Sequence, residues 1–331
     1  MTETADTPAR EAKRRRIDVH HHFFSPGWKR AEAEWAERRG TFRFPANRDW
    51  MPERSLEDME KGGVTHAVLS LASIPDNWFG GDPAQAAALA HECNEYALQL
   101  TRDYPGKFGL YCSLPMIDVE ASLREIEYGI AVMKCDGFGL CSSYGDKWPG
   151  DPLFRPIFEE LNRRKAVVYF HPTTPGCCRG LVPGVGGDAV LEVPFDTSRA
   201  VASLLVSGTM HRLRDIKWVF PHSGGSLPSL VGRMHAFMDA RKDAAAFAPD
   251  GVEALLKRLY FDTANGAWPG AMAGLLTLVP FAQIMFGSDF PYFTAAMTAD
   301  GLAKLGYSER RMAAIDSGTA LKLLPRLRRL R

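Results

Sequence analysis

Short apolar runs alternate with longer amphipathic stretches from residue 17 to near the end of the chain. Residues 17–24 (IDVHHHFF) open the series. Residues 65–72 (THAVLSLA), 108–114 (FGLYCSL), 137–141 (GFGLC), 166–170 (AVVYF), 217–220 (KWVF), 259–262 (LYFD) and 284–286 (IMF) continue it. These runs are brief and rich in β-branched and aromatic side chains, the pattern of strands buried on both faces. Between them lie helical patterns. Residues 83–103 carry Ala and Leu at helical spacing, with Asp82 placed to cap the helix and Pro83 at its first position. Residues 119–133, 151–164, 195–208, 271–278 and the stretch from Gly225 to Asp239 read as further helices. Residues 42–59 read as a loop entering a helix that Gly62 and Gly63 end. Eight strand candidates separated by helices predict parallel βαβ units and a (β/α)8 TIM barrel of α/β class. A doubly wound open sheet is the alternative.

Residues 1–15 are expected to form a disordered basic leader, and residues 16–331 a single barrel domain. A basic run, Arg14, Arg15 and Arg16, joins the leader to the domain, but histidines follow where a secretory signal needs an apolar stretch. The 173–194 segment, rich in Gly and Pro, reads as a long irregular excursion of the kind that carries function.

Composition narrows the class. The chain has 331 residues, 46% hydrophobic and 24% charged, which suits a soluble enzyme with a sizeable core. A formal net charge of +1 provides no field for nucleic acid or an acidic membrane. No apolar run has the length of a membrane span. The six cysteines form no C-x-x-C pair, so a reduced, cytoplasmic setting is expected; Cys177 and Cys178 read as loop thiols without catalytic duty. No G-x-G-x-x-G follows a strand and there is no P-loop.

The chemistry lies at the strand ends. His20 and His22 are two apart on a strand and should project together, with His21 facing the other way into packing. His171 ends the fifth run, His222 the sixth and Asp289 the eighth. In a barrel these ends converge on one face. Three histidines and a carboxylate there form a sensible shell for one catalytic ion with an open position. The fourth run ends in Cys141, Ser142 and Ser143, with no lysine to be carbamylated and bridge a second ion, so the site is expected to be mononuclear. His66, His91, His211 and His235 read as structural or surface residues.

Four motifs make the pattern specific: H-x-H at His20 and His22, F-H-P at His171, P-H-S-G-G at His222 and G-S-D-F-P at Asp289. Together they resemble the amidohydrolase superfamily, and within it the amidohydrolase-2 branch of aminocarboxymuconate semialdehyde decarboxylase. That branch also holds γ-resorcylate, 5-carboxyvanillate and 6-methylsalicylate decarboxylases and hydrolases of ring-cleavage products. The resemblance implies a distorted barrel with one Zn2+ or Mn2+, held by His20, His22, His171 and Asp289, and His222 as the catalytic histidine. Phe42 and Arg43, with Trp50 and Pro52 after them, resemble the segment whose arginine binds the substrate carboxylate. Arg233 and Arg241, on the helix after His222, resemble a second arginine region; Arg241's counterpart reaches into the neighbouring subunit, which implies a homodimer. The stretch after His171 (PTTPGCC) lacks the tryptophan of the semialdehyde decarboxylases. With residues 191–197 (LEVPFDT), it looks more like the 6-methylsalicylate side.

The first expectation is therefore metal-dependent, oxygen-independent decarboxylation of a small aromatic or unsaturated carboxylic acid, with Asp289 or His222 supplying a proton. The alternative is metal-dependent hydrolysis of a lactone, amide or ring-cleavage product. A zinc-stabilised binding protein is the weakest reading, because an open metal site has little structural use.

Overall fold

The computed structural model describes residues 15–39, 43–72, 82–182 and 187–330. The leader expected over residues 1–15 lies, apart from Arg15, outside them, as does Phe42. Eight strands form one sheet: β1 (Arg16–His22), β2 (Val64–Ser70), β3 (Phe108–Ser113), β4 (Gly137–Cys141), β5 (Val167–His171), β6 (Lys217–Phe220), β7 (Tyr260–Asp262) and β8 (Ile284–Met285). Each pairs in parallel with the next in sequence order. The ends of the sheet meet where Val19 N donates to Phe286 O at 3.0 Å and His22 N donates to Phe290 O at 2.8 Å. The expected barrel is the observed one, and the open sheet is not.

Alternation of side chains across each strand builds two apolar layers. Inside the barrel, Ile17, Val19, Val68, Tyr111, Tyr169, Val219 and Met285 meet Ala320, Leu324 and Leu327 of the C-terminal segment. Outside, Phe138, Phe158, Phe170, Trp218 and Phe220 pack between the strands and their helices. Each such side chain stabilises the fold by about 1.5–3 kcal/mol relative to exposure. The C-terminal segment plugs the N-terminal end of the barrel, where Arg326 pairs with Asp136 just before β4.

Helix Pro83–Asp103 has the expected bounds, and the Asp82 carboxylate caps it by accepting from Ala84 N and Gln85 N. Gly63, left-handed at φ 67°, ends helix Pro52–Gly62. The helix expected over residues 119–133 is α-helical over Val119–Tyr128 and winds as a π-helix over Gly129–Met133. The helix after His222 spans Leu227–Met238, so Arg241 lies beyond its end rather than on it.

One irregularity decides the site. Ile17 and Val19 face the barrel interior, so strict alternation would turn His21 inward as well. The pairing of β1 with β2 shifts register between Asp18 and His21. This reverses the phase, as bulges do, and His20 and His22 point inward instead. The buried Asp18 carboxylate accepts His20 N at 3.0 Å. His21 points outward, its two nitrogens 3.0 Å from Asp18 Oδ2 and 2.9 Å from Ser55 Oγ.

Asp58 supplies a pH test of the packing. Its carboxylate accepts Ala295 N at 3.1 Å and so caps helix Ala295–Ala303 from another element. Burial pushes its pKa from 3.8 up to about 6, against the pull of the Ala295 amide. The folded state thus binds a proton that the unfolded chain releases earlier, and this group's contribution falls as pH rises from about 4 to about 6. Asp58→Asn keeps an acceptor and removes the titration. Between about pH 4 and pH 7 the wild type should lose roughly 2 kcal/mol relative to the variant, allowing for partial exposure. Urea denaturation across that range checks it, and parallel curves would rule the buried charge out.

Candidate active site

The strand ends bring His20, His22, His171 and Asp289 together, with one ligand atom from each lying within 4.8 Å of all the others. His20 Nε2 and His22 Nε2 are 3.1 Å apart, and each faces Asp289 Oδ1, at 3.1 and 2.9 Å. His171 Nε2 stands 3.9 Å from the same oxygen. A four-coordinate ion with bonds of about 2.0–2.2 Å would hold its donors roughly 3.3–3.6 Å apart, a value that the separations of 2.9, 3.1 and 3.9 Å bracket.

The donor chemistry fits a cation. His22 Nδ1 lies 3.2 Å from Ser70 O, which can only accept, so the proton sits on Nδ1 and Nε2 offers a lone pair. His20 Nδ1 lies 3.0 Å from the Asp262 carboxylate, which directs Nε2 into the cluster. Burial disfavours charge on His20, but the Asp262 and Asp289 carboxylates outweigh it and push its pKa from 6.5 up to about 10. Burial holds His22 below the usual imidazole range and His171 well below it. Burial also works against the Asp289 carboxylate, yet His20, His171 and His22 keep it well below the ordinary carboxylate range. The pocket is built to hold positive charge between lone pairs.

Asp289 divides its two oxygens. Oδ1 faces the imidazoles, while Oδ2 accepts from Asn265 Nδ2 at 2.7 Å and lies 3.3 Å from His222 Nε2. His222 therefore stands beside the cluster on the far oxygen. Tight turns set these angles: His222, Asn265 and Asp289 all take left-handed backbone conformations, with φ of 56°, 49° and 66°, a costly state for non-glycine residues that clusters at functional sites. Gly287 is required for close approach, since a Cβ there would lie 2.9 Å from Asp262 Cγ and from His20 Cβ.

Sequence reasoning missed Asp262 and Asn265. Asp262 orients His20 through Oδ2 and holds His222 N at 3.1 Å and Ala264 N at 2.9 Å through Oδ1. The signal was present, because Asp262 ends an apolar run just as His171 does. Tyr292 forms a wall beside His22, their ring centroids 5.7 Å apart, and Phe44 packs edge-on against it at 6.2 Å. Trp268 and Phe293, on the loops after β7 and β8, are exposed at the same face.

The arginines are placed differently. Arg43 is held against helix Pro26–Arg39, its Nε donating to Glu32 Oε2 at 2.6 Å and its Nη2 to Lys29 O at 3.3 Å. Arg241 pairs with Asp243 through Nε and Nη2 and covers the Phe247 ring. Within one chain, these contacts are with their own surroundings and not with the ligand cluster.

Comparison with known proteins gives the family and the fold. The amidohydrolase family model Amidohydro_2 matches residues 17–326. The chain therefore belongs to the amidohydrolase family. It is 33% identical to "Decarboxylase yanB" of Aspergillus niger, over 94% of this chain and 88% of that one. It is 31% identical to the 6-methylsalicylic acid decarboxylase of Penicillium expansum, over 95% of this chain and 97% of that one. Its fold is that of a 5-carboxyvanillate decarboxylase from Novosphingobium aromaticivorans solved with bound manganese: TM-score 0.83, 19% identity, covering 94% and 97% of the two chains.

Removing a ligand should empty the site without unfolding the barrel, whose stability lies in the apolar layers. His20→Ala and His171→Ala are expected to purify folded, with metal content near zero by elemental analysis. Asp262→Asn should keep the ligands and weaken metal binding about 10–100-fold. Full occupancy in either alanine variant would remove that histidine from the ligand set.

Proposed function

We propose that this protein removes the carboxyl group, as CO2, from a small aromatic acid of the salicylate type. One divalent ion, Zn2+ or Mn2+, would be held by His20, His22, His171 and Asp289. The likeness to decarboxylases over nearly the whole chain carries the choice of chemistry, because the ligand set by itself serves hydrolysis equally well. The exposed aromatic rim of Phe44, Trp268 and Phe293 supports a planar aromatic substrate. We read residues 16–331 as the single working unit.

The ion would supply Lewis acidity toward the substrate oxygens and spread developing negative charge. His222 and Asp289 move the proton. A proton carried by His222 Nε2, which faces the ionised Asp289 Oδ2, is delivered to the ring carbon that bears the carboxylate. The bond from that carbon to the carboxylate then breaks, its electron pair returns to the ring, and CO2 departs. The balance needs no oxidant and no second substrate. Arg43, held in place by Glu32 and Lys29 O, supplies a cation for the substrate carboxylate.

We read the functional form as a homodimer in which Arg241 serves the partner's site. The 64% exposure of Phe237, on the helix just before Arg241, supports a covered face, and size in solution checks it. Among the described residues no helix is long and apolar enough to cross a membrane. The cysteines are free thiols, which fits a cytoplasmic setting.

Hydroxybenzoates screened without oxygen should release CO2, whereas lactones should release no acid. Lactone turnover with none of the acids would overturn the reading. His222→Asn should retain the ion and lose about 10²–10⁴-fold in turnover; a metal-free preparation would make His222 a ligand instead. Arg43→Lys should raise KM for the acid about tenfold or more, the scale of a lost hydrogen bond between charged groups. An unchanged KM would leave Arg43 with only its tie to Glu32.

A further inference from the structure

Two of the three ligand histidines have an obvious orienting partner. His20 Nδ1 meets Asp262, and His22 Nδ1 meets Ser70 O. Among the described residues, His171 Nδ1 is buried with no partner. Its aim therefore depends on the backbone that carries it, and that backbone is clamped from outside the barrel.

The clamp centres on Asp196, in helix Glu192–Val206 between β5 and β6. Its carboxylate is fully buried. It accepts from Ser142 Oγ, from Ser143 Oγ at 2.9 Å and from Trp148 Nε1 at 2.8 Å. Arg199 Nη1 lies 3.8 Å away. Having given its proton to Asp196, Ser142 Oγ is free to accept, and Thr173 N donates to it at 2.9 Å. Ser142 N donates to His171 O at 2.9 Å, and Ser143 Oγ meets Thr173 Oγ1 at 2.8 Å. The His171 carbonyl and the Thr173 amide, on either side of Pro172, are thus both tied to one serine. A buried carboxylate is an expensive way to fill space, and its two serine partners both lie at the end of β4, against the segment that carries His171.

We propose that Asp196 is the positioning residue for the metal ligand His171, acting through Ser142 on the backbone either side of Pro172. This rests on the four-ligand metal centre and not on the reaction performed there. Metal binding is therefore read without substrate, and a failure of the decarboxylase reading leaves it standing.

The test uses full-length protein stripped with a chelator and reloaded with Zn2+. Ser142→Ala removes only the hydroxyl that links Asp196 to Thr173 N, and Asp196→Asn weakens the clamp at its source. Both should bind Zn2+ about 10–100-fold more weakly in a chelator competition and release it faster. The visible spectrum of the Co2+-loaded form should shift in Ser142→Ala. Arg326→Ala, which frees Asp136 at the opposite end of the barrel, is the structural control: it should lower the melting temperature of the metal-free protein and leave Zn2+ affinity unchanged. If Asp196→Asn fails to fold, Ser142→Ala decides, since Asp196 then keeps its bonds to Ser143 and Trp148. Wild-type affinity in Ser142→Ala overturns the proposal, as does an equal loss in Arg326→Ala or a wild-type protein that binds no divalent ion.

Discussion

The site depends on one buried carboxylate, Asp18, which holds the first strand against the last. Its Oδ1 accepts from both His20 N and Ser288 N at 3.0 Å, and its Oδ2 accepts from Ser288 Oγ and meets His21 Nδ1. These contacts bring residues far apart in sequence into one seam. Asp289 N then donates to His20 O at 2.9 Å, which sets the aspartate beside the two inward histidines. A buried carboxylate without such donors would be strongly unfavourable, so loss of the seam would take the ion site with it.

From that seam outward, charge is arranged in layers. Lone pairs of His20, His22 and His171 face one oxygen of Asp289, and Asp262 stands behind His20. The other oxygen of Asp289 serves Asn265 and His222. One carboxylate thus joins the place that holds positive charge to the place that moves a proton. Left-handed turns at the ends of β6, β7 and β8 are the conformational cost of aiming these groups at one point.

Much of this was legible beforehand. An apolar run that ends in His or Asp is readable because a titratable group at the end of a strand buried on both faces has to be paired there, and several such ends converge in a barrel. His20, His22, His171, His222 and Asp289 were found in this way, and all five meet. Asp262 ends a run in the same manner but is followed by Thr263, Ala264 and Asn265 rather than by a recognisable motif. The arginines were less legible, because a guanidinium finds any nearby carboxylate: Arg43 is held by Glu32 and Arg241 by Asp243.

Periodicity, turn residues and strand-end chemistry are local properties, and they suffice for the eight strands, most of the helices between them and the ligand types, though helix Pro26–Arg39 went unread. Which histidines face inward is not local. It follows from a register shift between Asp18 and His21 that depends on Ser288, 270 positions further along the chain. The clamp on His171 likewise joins β4 to a helix more than fifty residues away. Hydrogen bonds between buried groups are decided by which strands become neighbours, and that is known only when the barrel closes.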